Sequence, residues 1–219
     1  MKKIDIFPSI LNADWTNMDR ELSDLKKAGA DGIHLDIMDG KFVPEKTFDL
    51  DSIERFVSYS DLPFDAHLMI EEPEKHVDDY MERCVTSITF HLEVCNGEYA
   101  VKLAKYIKSK GLKAGVAVNP DHPVEPVIDL IAYFDWVLFM SVFPGYGGQK
   151  FIPQVLEKVM ILKEYCTEKN LNRVIQIDGG INDKTAALAV KAGINNLVAG
   201  TYILKSENYK ERIDKLKQI

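Results

Sequence analysis

Short apolar runs alternate with longer amphipathic stretches along all 219 residues of the chain. Eight of these runs are rich in β-branched residues and predict strands at 4–11, 32–38, 64–70, 87–93, 113–118, 135–142, 173–178 and 196–200. Strands that alternate with helices pair in parallel, because each helix returns the chain to the end where the next strand begins. Eight such units in this length predict an α/β fold of the (β/α)8 TIM-barrel type. An open doubly wound sheet is the alternative, but it usually has fewer strands.

The amphipathic stretches between the runs predict helices. The clearest of them cover 14–27, 74–84, 98–110, 153–169 and 184–191. Several end in a glycine, as in KKAGAD, KSKGLK and VKAGIN, which is typical of a helix C-terminus where the backbone turns to positive φ. No linker, low-complexity stretch or run of like charges divides the chain. We therefore predict one barrel domain over residues 1–219.

Composition argues against several functional classes. The net charge is −7 with both signs scattered, which disfavours nucleic acid or an anionic membrane as a partner. No apolar run approaches the roughly 20 residues of a membrane span, and MKKIDIFPSIL turns polar too soon for a signal peptide. Cys84, Cys95 and Cys166 lack CxxC spacing and are predicted to be reduced thiols. We expect a cytoplasmic protein.

Polar side chains follow most of the predicted strands, near their C-terminal ends. In a barrel these ends meet on one face, where catalytic residues lie. Alternate residues of a strand face the same way, so His34 shares a side with Asp36, and Asp65 shares one with His67. Two neutral imidazoles and two carboxylates form a ligand set for a divalent metal ion. The predicted ligands are His34, Asp36, His67 and Asp178.

A lone histidine on a strand is more often a hydrogen-bonded core residue than a ligand. Four suitable groups at equivalent strand ends favour the metal site, and Zn²⁺, Fe²⁺, Mn²⁺ or Co²⁺ suits mixed nitrogen and oxygen ligands. Carboxylates beside such an ion can also move protons. His91 and Glu93 are weaker candidates that could support the ligands from behind, while His76 and His122 are expected at the surface.

Two glycine-containing segments predict a phosphate site. FPGYGGQKF follows the sixth predicted strand and GTYI follows the eighth. Either segment alone is weak evidence, and the first is also consistent with a flexible loop. However, glycine lets an anion approach backbone amides, and the late loops of barrels often bind phosphate. Met38, Met69 and Met140 end three strands and either fill the core or form an apolar lining that excludes water from an anionic intermediate.

From PSILNAD at 8–14 to VAGTYI at 198–203, the chain resembles the ribulose-phosphate 3-epimerase family. The motifs that carry the resemblance are HLDIMDGKFVP, DAHLM, FHLE, MSVFPGYGGQKFI and IDGGI. The resemblance implies a barrel of the ribulose-phosphate-binding type with one catalytic divalent ion on the four ligands named above. It also implies that Asp36 and Asp178 are an acid/base pair on opposite faces of the sugar carbon.

The resemblance further implies which residues bind the substrate, a small phosphorylated ketose. Ser9 matches a serine that contacts the substrate oxygens, and five residues match the phosphate-binding positions. The full expected set is Ser9, Met38, His67, Met69, Met140, Gly145, Gly147, Gly148, Asp178, Gly179, Gly200 and Thr201. We also expect a homo-oligomer.

The expected reaction interconverts D-ribulose 5-phosphate and D-xylulose 5-phosphate. One aspartate removes the C3 proton, the metal stabilises the enediolate, and the other aspartate returns a proton to the opposite face. Three departures from the family pattern, at Glu45, Phe143 and Tyr202, leave the sugar open, and D-allulose 6-phosphate is the alternative. A barrel lyase would carry DxKxxD where this chain has DAHLM. A non-catalytic barrel that only binds a phosphosugar is a further alternative. Such a protein would be expected to lose the predicted metal ligands first, and all four are present in this chain.

Overall fold

Eight parallel strands surround the axis of the molecule, in a computed structural model that describes residues 3–83 and 85–219. The strands are β1 (Asp5–Phe7), β2 (Ile33–Met38), β3 (Phe64–Met69), β4 (Ser87–His91), β5 (Lys113–Val118), β6 (Trp136–Met140), β7 (Val174–Asp178) and β8 (Asn196–Val198). Consecutive strands are neighbours, and β1 pairs with β8. The predicted (β/α)8 barrel is confirmed.

Residues just beyond β1 bring that strand against β2 and complete the ring. Ser9 and His34 form a parallel bridge, and the His34 amide donates to the Pro8 carbonyl at 3.0 Å. The first predicted strand is longer than β1, which ends at Phe7. Pro8 has no N–H to donate, and this interrupts the ladder between the two parts of the run.

Helices cover the outside of the ring. They are α1 (Met18–Lys27), α2 (Leu50–Ser58), α3 (Val77–Met81), α4 (Gly97–Ser109), α5 (Glu125–Leu130), α6 (Val155–Glu168), α7 (Asp183–Ala192), α8 (Thr201–Leu204) and α9 (Tyr209–Lys217). Two predicted helices are shorter than expected: 14–27 begins with a 3-10 turn and 74–84 is reduced to α3. Cys84 lies outside the described residues, whereas Cys95 and Cys166 are buried and free.

The two sides of each strand separate as the alternation of residues predicts. The outward residues of β2, Ile33, Leu35 and Ile37, are buried in one apolar layer with side chains of the helices. Burying each such side chain stabilises the fold by about 1.5–3 kcal/mol. The inward side of β2 and β3 carries polar residues instead, and His34 and His67 there are completely buried. Among the described residues, no helix has the length and apolar character needed to cross a membrane.

Candidate active site

A cleft of about 600 Å³ opens at the C-terminal ends of the strands. Eleven of the twelve residues expected to bind the substrate line it, which leaves His67 as the exception. That histidine lies beneath the cleft floor with no exposed surface. The strand ends therefore bring together residues that are up to 192 positions apart in the chain, from Ser9 to Thr201.

The four predicted metal ligands meet at the floor of this cleft. His34 and Asp36 come from β2, His67 from β3 and Asp178 from the end of β7, and one ligand atom of each lies within 4.8 Å of the others. His34 Nε2 is 3.2 Å from His67 Nδ1. Asp36 Oδ1 is 3.5 Å from the former atom and 3.3 Å from the latter.

These distances fit a bound ion. Bonds of about 2.0–2.1 Å in a tetrahedral site hold neighbouring ligand atoms about 3.3 Å apart. Imidazole nitrogens and carboxylate oxygens are the donors that borderline divalent metals accept. The group of four side chains could therefore hold one metal ion, with the two histidines facing it through different ring nitrogens, Nε2 of His34 and Nδ1 of His67.

Ser9 gives Asp36 a second contact. The Ser9 hydroxyl donates to Asp36 Oδ2, while Oδ1 of the same carboxylate faces the two histidines. Asp36 therefore presents one oxygen to the ligand group and the other to Ser9. Both residues line the cleft, where a bound ligand could contact them.

The two carboxylates of the site have opposite pKa shifts. Burial alone would raise the pKa of Asp36, but His34 and His67 outweigh it and hold this pKa well below the usual range. Burial and the negative charge of Asp36 raise the pKa of Asp178 to about 7. One carboxylate is therefore held ionised, while the other keeps a proton close to neutrality, which is the division that acid/base chemistry requires.

The two histidines also differ. Burial opposes the charged form of His34, but Asp36 and Asp65 outweigh this effect and raise its pKa well above the usual value. Burial lowers the pKa of His67 to about 4, so its imidazole is neutral. A neutral imidazole is the form that binds a metal, whereas His34 must lose a proton to do so.

Each predicted ligand histidine contacts a further buried side chain. His34 Nδ1 lies 3.0 Å from Asp65 Oδ2, and His67 Nε2 lies 2.9 Å from His91 Nε2. His91 in turn reaches Glu93, as the weaker prediction for these two residues suggested. Asp65 was expected only to share a side with His67, and its pairing with His34 follows from the register between β2 and β3.

His76 and His122 differ in how far their side chains are exposed. His76 is half exposed, as expected, but the His122 side chain is only 23% exposed and lies 3.6 Å from Glu93 Oε1. The loop after β5 folds inward here, because Lys158 Nζ donates to the carbonyl oxygens of Pro120 and His122. His122 therefore lies in a loop, as expected, but its side chain is only partly exposed.

Glycines shape the upper wall of the cleft. Gly145 and Gly148 have φ of +133° and +79°, a region that other residues rarely adopt. Gly179, directly after Asp178, has φ of +119°, and a Cβ there would lie 2.7 Å from Val142. The turn directly after Asp178 therefore requires glycine.

Asn12 lines the cleft but was not predicted. Its Nδ2 donates to Thr201 Oγ1 at 3.4 Å, and a Cβ on Gly147 would lie 2.3 Å from that nitrogen. Asn12 thus sits where the two glycine-containing segments meet. Its place directly after PSIL, three positions beyond Ser9, was the sequence signal that could have identified it.

The three residues that depart from the family pattern differ in exposure and in their position relative to the cleft. Tyr202 lines the cleft, Phe143 is half exposed, and Glu45 is exposed. Tyr146 in the same glycine-rich loop is 65% exposed. Of the three departures, Tyr202 is therefore the one that lines the cleft, although its hydroxyl is buried and its ring packs against Arg212 at 4.9 Å.

The sequence matches one family model and several proteins that carry the same name. The model of the "Ribulose-phosphate 3 epimerase family" matches residues 5–204. The chain is 40% identical to ribulose-phosphate 3-epimerase of Bacillus subtilis, covering 98% of each protein. It is 40% identical to that of Mycobacterium tuberculosis H37Rv, covering 93% of this chain and 87% of that protein. It is 37% identical to the chloroplastic ribulose-5-phosphate-3-epimerase of Arabidopsis thaliana, covering 98% and 76%.

Solved structures share the fold at low identity. A 3-hexulose-6-phosphate synthase aligns with a TM-score of 0.71 at 14% identity, covering 100% of this chain and 99% of that one. A tryptophan synthase α-subunit from Pyrococcus furiosus aligns with a TM-score of 0.71 at 17% identity, covering both chains fully. These similarities support the barrel and nothing beyond it.

Proposed function

The chain belongs to the ribulose-phosphate 3-epimerase family and is a carbohydrate epimerase, and from this premise we propose that it interconverts D-ribulose 5-phosphate and D-xylulose 5-phosphate. The observation that supports this reaction best is the pair of carboxylates Asp36 and Asp178, which approach the cleft from β2 and β7 with opposite pKa shifts. Inverting a carbon that carries an acidic hydrogen needs one group to remove a proton and another to supply one.

We assign the phosphate to the end of the cleft formed by the late loops. Gly145, Gly147 and Gly148 line it from one segment, and Gly200 and Thr201 from the other. Backbone amides in such segments bind phosphate because glycine allows close approach. With the phosphate held there, the ketose carbons extend toward the ligand group on the cleft floor.

We assign the proton transfers to the two aspartates. Asp36, which is held ionised, removes the C3 proton of one epimer, and Asp178 donates a proton to the opposite face. The reverse reaction exchanges these roles. Met38, Met69 and Met140 line the cleft around the reacting carbon and exclude water, which strengthens the electrostatic interactions within the site.

A divalent ion fits the four side chains described above and, when bound, would supply the positive charge that stabilises negative charge developing on the ketose oxygens. Its ligands would be His34, Asp36, His67 and Asp178, and Zn²⁺, Fe²⁺, Mn²⁺ and Co²⁺ are the candidates. A homo-oligomer, a cytoplasmic location and a single domain over residues 1–219 remain predictions.

A second substrate has one observation in its favour. Tyr202 lines the cleft at a position where the family pattern has a small residue, so D-allulose 6-phosphate is the alternative ketose. A substrate panel separates the two. Protein loaded with one defined metal would be assayed for C3 inversion of each ketose phosphate in heavy water. We expect the highest kcat/KM with D-ribulose 5-phosphate and deuterium at C3 of the product.

Two results would contradict the proposal. A higher kcat/KM with D-allulose 6-phosphate would assign the alternative substrate. Metal-loaded, folded protein that inverts no ketose phosphate would overturn the proposed reaction, and the same protein stripped of metal serves as the control for the role of the ion.

A further inference from the structure

His67 and His91 meet edge to edge beneath the cleft. Their Nε2 atoms are 2.9 Å apart, whereas their ring centres are 5.0 Å apart and the ring planes are inclined by only 23°. This is the geometry of a hydrogen bond between two imidazoles rather than of face-to-face stacking. Both rings have no exposed surface, so no solvent competes for these nitrogens.

The contact continues to a carboxylate. His91 Nδ1 lies 3.1 Å from Glu93 Oε2, and the backbone N–H of Asn119 donates to Glu93 Oε1 at 2.7 Å. Glu93 therefore accepts on both oxygens, and its contacts with His91 and Asn119 lower its pKa although burial opposes this. Phe42 packs against His91 with ring centres 4.7 Å apart.

These contacts permit one arrangement of protons that leaves His67 able to bind a metal. The carboxylate of Glu93 can only accept, so the proton of His91 lies on Nδ1. The Nε2 atom of His91 then has a free lone pair and accepts from Nε2–H of His67. With its proton on Nε2, His67 has a free lone pair on Nδ1, which is the atom that faces the ligand group.

We propose that Glu93, acting through His91, is a positioning residue that fixes the tautomer of His67 and thereby prepares Nδ1 to bind the metal. The proposal rests on the metal site assigned above. It extends that site by two residues, neither of which lines the cleft. Partners of this kind typically change metal affinity by 10–100-fold when they are mutated.

The substitution Glu93→Gln tests this chain of hydrogen bonds from Glu93 through His91 to His67, because it keeps the size of the side chain. Only one end of an amide can accept, so it cannot accept from His91 on one side and from the Asn119 N–H on the other. The Asn119 N–H can only donate, whereas His91 can change its tautomer, so the amide oxygen faces Asn119 and the NH₂ group faces His91. The proton of His91 then moves to Nε2 and opposes the proton on His67. We expect the Kd for Zn²⁺, measured against a chromophoric chelator, to rise 10–100-fold.

His122→Asn is the matched control. The ring of His122 lies 3.6 Å from the same glutamate, but on Oε1, the oxygen that does not contact His91. We expect this variant to bind Zn²⁺ as the wild type does. Equal weakening in both variants would mean that the loop merely packs against Glu93, and would overturn the proposal.

Two further readouts distinguish positioning from general destabilisation. In ¹⁵N-histidine NMR of the metal-free wild type, we expect protons on Nε2 of His67 and Nδ1 of His91. We also expect Glu93→Gln to change the visible spectrum of the Co²⁺-loaded protein. The opposite tautomers in the wild type would overturn the inference, and this measurement needs no variant to fold.

Two outcomes separate the role of Glu93 from the existence of the metal site. Wild-type protein that binds no Zn²⁺ would overturn both. Wild-type protein that binds Zn²⁺, beside a folded Glu93→Gln variant with the same Kd and the same Co²⁺ spectrum, would overturn the role of Glu93 alone.

Discussion

His34 Nδ1 lies 3.0 Å from Asp65 Oδ2, with both side chains completely buried. The two atoms are in ionic contact without forming an aligned hydrogen bond, and neither has another partner within residues 3–83 and 85–219. The other oxygen of Asp65 accepts from Ser87 at 3.1 Å and from Thr89 at 2.9 Å. Asp65 therefore orients the ring of His34 and leaves Nε2 to the ligand group.

Replacing this carboxylate should weaken metal binding. Asp65→Asn keeps the volume but removes the charge that faces His34, and we expect the Kd for Zn²⁺ to rise about 10–100-fold. Asp61→Asn is the control, because that carboxylate is 76% exposed and pairs with Lys26. Unchanged affinity in folded Asp65→Asn protein would contradict the orienting role.

The two-carboxylate mechanism predicts a large loss of turnover in both asparagine variants. Asp36→Asn and Asp178→Asn should each lower kcat by about 10²–10⁴, because each removes a proton carrier. Metal content must be measured alongside, since loss of the ion would have the same effect. A variant that keeps its metal should still exchange the C3 proton of one epimer with heavy water. Rapid inversion by either metal-loaded variant would rule out the assignment.

The phosphate site predicts a charge effect at Gly147. Gly147→Asp should raise KM by about 10–100-fold, or about 1.4–2.7 kcal/mol, by repelling the phosphate. Gly147→Ala is the matched neutral variant: its Cβ would meet the same Asn12 nitrogen, and that side chain end can move away. We expect a much smaller change in KM for the alanine variant. Unchanged KM in folded Gly147→Asp protein would place the phosphate elsewhere.

Metal affinity should depend on pH through Asp178. In the metal-free protein burial and Asp36 raise its pKa to about 7, so below that pH a proton must leave before the carboxylate can bind an ion. We expect Zn²⁺ affinity to fall about a hundredfold for each pH unit below about 7, since the protons of Asp178 and of His34 both compete with the ion. Titrations between pH 5 and pH 8 would measure this. A flat profile would contradict the raised pKa.

The same shift predicts how stability changes with pH. The folded-state pKa of Asp178 is raised, so its contribution is present at low pH and lost as the pH rises through about 7. His34, whose pKa is also raised, acts in the same direction. The Tm of metal-free protein should therefore decrease across neutrality, while saturating Zn²⁺ should raise Tm and offset that decrease. A metal-free Tm that rises through pH 7 would argue against this assignment.

The barrel and the membership of the ligand group follow from short-range patterns in the chain. Alternation of strands and helices predicts parallel pairing, and the two-residue period of a strand places His34 and Asp36 on one side. Both patterns depend on neighbouring residues only. They can therefore be recognised in the sequence without knowledge of the contacts between distant segments.

The contacts between distant residues of the site, and their protonation, depend on closure of the barrel. It brings Asp178 to Asp36 across 142 positions of sequence, places Asn12 against Gly147, and turns His122 inward. The pKa separation of the two carboxylates arises from burial and mutual charge, which exist only once the strands have met. Strand register likewise sets which ring nitrogen of each histidine faces the ligand group. The sequence by itself thus determined which chemical groups are present, and the tertiary structure decided their protonation and their partners, because these depend on distances between strands.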